Sequence, residues 1–134
     1  PIRNEDNTTA AEELEFFLDS FLELYKNHKK LLCFNQFFNI YIRNEAISKR
    51  ALNSYNEMVD QLAMRFHKTY VKGKNDKTLC TEVSENSIFL SIMHLMLAAI
   101  TRYAVGLAYE KDIESDNELV LLKNMLMHEF SRKK

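Results

Sequence analysis

The stretch Ser84–Tyr109, SENSIFLSIMHLMLAAITRYAVGLAY, constrains this chain more than any other. It reads as a helix. Ser84 stands in the N-cap position, with Val83 and Ile88 at the spacing of a hydrophobic staple around it. At 3.6 residues per turn, Ser91, His94, Thr101 and Arg102 share one narrow polar side. The remaining arc is led by Ile88, Phe89, Ile92, Met93, Met96, Leu97, Ile100, Tyr103 and Leu107. It spans roughly 220°, where an ordinary surface helix needs little more than about 100°. Such a helix must be covered on more than one side. Interruptions at Ser91, His94 and Arg102 speak against a membrane span, which requires about 20 mostly apolar residues. The cover is therefore expected from protein, part of it from a second copy of the chain. Ala99 and Gly106 share one face. Gly106 reads either as a point of close helix approach or as a tolerated helix glycine, costing about 1 kcal/mol relative to alanine.

Composition narrows the fold class. In 134 residues there are two glycines and one proline, too few for tight hairpins, and no useful strand-like alternation occurs. One all-α domain spanning residues 1–134 is expected, a bundle of five or more helices with a core of its own. Its last two long helices would pair across a dimer as a four-helix bundle. The 18 basic and 19 acidic residues leave a net charge of −1, so no field favours nucleic acid or an acidic membrane surface. Cys33 and Cys80 lack the spacing of a metal or redox motif, and reduced thiols in a cytoplasmic protein are expected. No signal or anchor segment is visible, and PIRNEDN, beginning on proline, reads like the inside of a longer chain.

From the N-terminus, Thr9-Ala10-Ala11-Glu12 has capping-box spacing and opens a helix reaching about Asn27, striped by Leu14, Phe17, Leu18, Phe21 and Tyr25. Asn27 can adopt the left-handed conformation that ends helices. A shorter helix from about Lys30 to Asn44 carries Leu31, Phe34, Phe38, Tyr41 and Ile42, with Asn35, Asn39 and Arg43 on another side. That polar ladder reads as a solvated edge or as a hydrogen-bonding wall beside an aromatic cavity. Ser48 opens a third helix to about Lys72, with Leu52, Tyr55, Val59, Leu62, Phe66 and Tyr70 in period. Gly73–Thr81 is the one substantial loop. Past it and the Ser84–Tyr109 helix, Ser115-Asp116-Asn117-Glu118 is a second capping box. The helix it starts has one stripe of Leu119, Leu122, Leu126 and Phe130 and a second of Leu121 and Met125.

Catalytic and metal chemistry find no support. His28, His67, His94 and His128 lie on separate elements, none with a second ligand three or four residues on. There is no glycine-rich phosphate loop and no nucleophile motif, so no catalytic residue, metal ligand or cofactor is assigned. Nine Phe and six Tyr, with six Met, concentrate on the inward helix faces. Each alone is core material. As a group they suit an adaptable apolar pocket between the first four helices. On helix faces alone, Phe17, Phe21, Phe34, Phe38, Tyr41, Leu62, Phe66, Phe89, Met93 and His94 would line it. The dimer face would hold Ile92, Ala99, Tyr103, Gly106, Leu119, Leu122, Leu126 and Phe130.

Three stretches resemble the C-terminal domain of the tetracycline-repressor (TetR/AcrR) family of bacterial transcription regulators. These are LEFFLDSFLELYKNHKKLLCFNQFFNIYIRNE, SKRALNSYNEMVDQLAMRFHKTYVKGK and LCTEVSENSIFLSIMHLMLAAITRYAVG, followed by a terminal amphipathic helix. The order and lengths of the helices carry the resemblance. The Gly73–Thr81 loop is longer than usual, and Ser84 stands where the family often has proline. The resemblance implies a homodimer that binds a small apolar or amphipathic effector. It also implies that operator DNA is touched only through an N-terminal helix-turn-helix domain, which this chain lacks, with no membrane involved. A helical-bundle haem or metal protein or enzyme, or a pure protein-interaction module, would be the alternatives.

Overall fold

A computed structural model describes residues 7–33, 49–106 and 115–132. The fold is all-α, as the composition requires, and the described residues contain no strand beyond one bridge pair, Leu79 with Ser131.

Helix α1 (Ala10–Asn27) starts where the capping box places it. The Glu12 amide donates to Thr9 Oγ1 at 3.1 Å and the Thr9 amide to Glu12 Oε1 at 3.4 Å. Ala10, Leu14, Leu18, Phe21 and Tyr25, at helical spacing, are buried. Each large apolar side chain so buried contributes roughly 1.5–3 kcal/mol. The break that follows uses no left-handed residue. His28 takes φ −137°, and the chain re-enters a helical turn at 29–33, where the Leu31 amide donates to the His28 carbonyl.

Helix α2 (Lys49–Asp76) runs further than the glycine suggests. Gly73 lies within it, buried, because Leu79 folds back onto its bare Cα: a Cβ there would sit 2.7 Å from Leu79 Cδ1. Lys77 ends the helix in the left-handed region (φ 62°), its amide bonded to the Gly73 carbonyl at 2.9 Å. The loop therefore begins four residues later than the expected Gly73.

The central apolar stretch is three pieces in line: α3 (Glu85–Ile92), a π-helical turn (Met93–Leu97) and α4 (Ala98–Ala104). Ser84 caps it, accepting from the Ser87 amide. It does not reach Tyr109. Gly106, at φ 77°, ends it, so this glycine serves its backbone conformation and is not a tolerated glycine inside the helix. Residues 107–114 fall outside the described segments. The π-turn has a packing consequence. Positions four apart drift about 40° around an α-helix, and a wider turn removes part of that drift. Ile92, Met96 and Ile100 thereby stay on one face, all 0% exposed.

Helix α5 (Ser115–Phe130) buries Leu119, Leu126 and Phe130. Helix α1, and not only the Ser84 helix, lies at the centre: it packs against α2, the π-turn, α4 and α5.

Candidate functional site

Four of the expected pocket residues come together as a ring stack. Phe17 meets Phe21 edge-on with centroids 5.4 Å apart, and Phe66 lies 5.9 Å from Phe17 and 5.8 Å from Phe89. Tyr70 extends the series from Phe66 at 6.5 Å. Leu62 and Met93 pack, partly buried, against this core. Such spacings are those of favourable aromatic pairs. The rings hold one another, and α1, α2 and α3 each contribute at least one. His94 does not join them; it is exposed on the π-turn. Phe34, Phe38 and Tyr41, with the Asn35–Asn39–Arg43 ladder, lie outside the described residues. An open surface depression, lined by Lys26, Asn27, His28, Lys29, Lys30 and Leu31, contains none of the expected pocket residues.

The residues expected at a dimer face divide in two. Ile92, Leu119, Leu126 and Phe130 belong to the chain's own core, and Ala99, Tyr103 and Leu122 pack against it partly buried. Tyr103 meets Tyr25 of α1 at 6.3 Å. The second stripe of α5 points the other way: Leu121 and Met125 are both 58% exposed. Leu90 and Leu95 of the central helix are exposed as well, and α5 packs beside the π-turn that carries Leu95. The segment Glu85–Ala104 is long and apolar enough to cross a membrane, with a mean hydropathy of 1.4, yet only 33% of its 18-residue apolar window is buried. Its inner side belongs to the core, while Leu90 and Leu95 are exposed away from it.

Polar groups are placed structurally. Lys123 of α5 reaches Asp19 at 2.6 Å and Glu15 at 3.4 Å on α1. Burial pulls its pKa down, but the hydrogen bond and attraction to Asp19, with that to Glu15, outweigh burial and raise it. His67 meets Glu85 at 2.7 Å, tying α2 to α3. Thr101, placed by the helical wheel on the polar side, is 4% exposed, and its hydroxyl has no hydrogen-bond partner. Its burial could not be read from the wheel, because the π-turn precedes it. Among the described residues no group of three His, Cys, Asp or Glu is placed to hold a metal ion. Comparison of the chain with protein-family models, with curated proteins and with solved structures finds no match.

Proposed function

We propose that the chain is the effector-sensing and dimerising domain of a cytoplasmic bacterial transcription regulator of the tetracycline-repressor kind. A small apolar or amphipathic ligand would lie against the wall formed by Phe17, Phe21, Phe66 and Phe89. Its binding would shift the population between two spacings of helix-turn-helix heads carried by a separate segment, relieving their hold on DNA.

One observation carries this reading. The Glu85–Ala104 helix and α5 are each apolar on two sides, one spent on the chain's own core and one exposed through Leu90, Leu95, Leu121 and Met125. Apolar side chains left exposed on two neighbouring elements are what an interaction site would use. A second copy related by a two-fold axis covers it with the same patch on both partners, and an obligate interface of that type buries about 2,000 Å² or more. The effector half of the proposal rests on the ring stack and on the resemblance.

Light scattering at micromolar concentration tests the central point. The expected mass is twice 15.8 kDa, and a clean 15.8 kDa species overturns the reading. Duplex DNA should not be retained by this segment even at low salt, since it has no basic excess to neutralise phosphates.

A further inference from the structure

Three helix ends meet at residues 76–80, with the start of α3 a few residues on. Thr78, 5% exposed, is the pivot. Its amide and hydroxyl both donate to Asp76 Oδ1, at 2.9 and 2.7 Å. Its hydroxyl oxygen accepts from the Ala11 amide at 3.0 Å, and Asp76 Oδ2 accepts from the Ala10 amide at 2.8 Å. Two of the first free amides of α1 are therefore capped by the end of α2, beside the local cap from Thr9. The carboxylate also sits at the positive end of the α1 dipole. On its other side, the Thr78 carbonyl accepts from the Arg132 amide at 2.7 Å, and the Cys80 amide donates to the Phe130 carbonyl at 2.8 Å. Between the two, Leu79, 2% exposed, is pressed onto Gly73. Arg132 pairs with Glu82, and Tyr70 Oη lies 3.0 Å from the Thr81 carbonyl and 2.7 Å from that of Val83, just before α3 begins.

We infer that residues 76–80 form a clasp that makes the first turn of α1 and the C-terminal end of α5 one cooperative unit, so that neither opens without the other. The reason is geometric. Thr78 has no freedom to serve one side alone, because its amide, hydroxyl and carbonyl are engaged together, and Leu79 against Gly73 fixes the backbone between them. Opening is then an all-or-none local event of the kind that divides proteins into cooperative sub-units. The clasp links α1, which carries Phe17 and Phe21, to α5, which carries Leu121 and Met125. A displacement of either helix end is thereby passed to the other.

Amide hydrogen exchange on the intact chain tests this. Thr78→Val removes the hydroxyl, and with it the Ala11 bond and one of the two bonds to Asp76 Oδ1, but leaves the Thr78 amide on Asp76 and the backbone bonds to the α5 side in place. The expected result is a fall in protection at Cys80 and Arg132 by the same factor as at Ala10, whose own acceptor on Asp76 is untouched, roughly tenfold on the scale of a lost hydrogen bond. Ile92 and Ile100 should keep their protection. Unchanged Cys80 and Arg132 beside a weakened Ala11 overturn the inference. An equal fall at Ile92 and Ile100 also overturns it, since the whole fold would then be opening. Arg132→Pro supplies the reciprocal arm by removing the amide bonded to Thr78, with Arg132→Ala as the control for the lost pair with Glu82. Ala10 and Ala11 should lose protection, and their retention of it refutes the coupling.

Discussion

Gly73 shows how a single missing carbon can decide a junction. Alanine at this helical position gains up to about 1 kcal/mol of propensity. Against that, its Cβ would lie 2.7–2.8 Å from Leu79 Cβ, Cγ and Cδ1. Rotation about χ1 cannot move a Cβ away, so the backbone of the loop must shift, at about 1–3 kcal/mol for overpacking. Overpacking wins: Gly73→Ala should lower stability by about 1–2 kcal/mol in a urea titration, and an unchanged midpoint would mean that Leu79 does not rest there. Thr101 gives the opposite sign. Its buried hydroxyl has no partner, and an unsatisfied group of this type costs about 1–3 kcal/mol. Thr101→Val keeps the shape and removes that cost, so thermal unfolding should move upward by a few degrees.

Among the elements, the join of α1 to α5 holds a lysine between two carboxylates. Lys123 is 15% exposed and reaches two carboxylates on α1, each 47% exposed. Lys123→Met should cost about 1 kcal/mol at neutral pH, since hydrogen bonds to charged groups contribute about 1.5–3 kcal/mol and the half-exposed carboxylates screen part of it. The carboxylates it abandons stay solvated, so no larger penalty follows. The sign of the pH dependence comes from the raised pKa. A group more basic in the folded than in the unfolded chain stabilises fully below its unfolded value and loses that contribution as pH rises through its folded value. The gap between the native protein and Lys123→Met should therefore be flat from pH 7 to 9 and close only above the ordinary lysine value of 10.5. Denaturation midpoints of both proteins across that range provide the check; a gap that widened with alkalinity would contradict the assignment.

For the whole molecule, the question is what covers the outer apolar face. Ile92 is 0% exposed, so truncating it to alanine should cost about 2–5 kcal/mol whether or not the chain dimerises. Leu121 and Met125 separate the cases. Both are 58% exposed in the single chain, so replacing them with glutamate should leave the secondary structure and the inner core intact. If the two-fold pairing is correct, the double variant scatters light as a monomer at a concentration where the native chain is a dimer. Equal masses for the two proteins would remove these residues from the interface.

Some of this was legible in the residues themselves. The scarcity of glycine and proline determined an all-helical fold, since no strand connection could be built without turns. Thr9 with Glu12 placed the start of α1 because a capping box is a contact within four residues. Likewise, the two stripes of α5 announced a helix with two apolar sides, because helical period alone sorts side chains by face. Other features depended on contacts between residues distant in sequence. Which stripe of α5 turns inward, Leu119–Leu126–Phe130 or Leu121–Met125, was decided by where α1 lies. That Gly73 sits inside a helix because Leu79 needs its bare Cα, while Gly106 ends a helix at φ 77°, depends on packing and backbone conformation that a glycine count cannot show. The π-turn at Met93–Leu97 sets Ile92, Met96 and Ile100 on one face, buries Thr101 and leaves His94 outside, and periodicity cannot reveal a change in its own period. The tie of Ala10 and Ala11 to Asp76 and Thr78 spans more than sixty residues of chain, and only the packed bundle brings those groups within hydrogen-bonding distance.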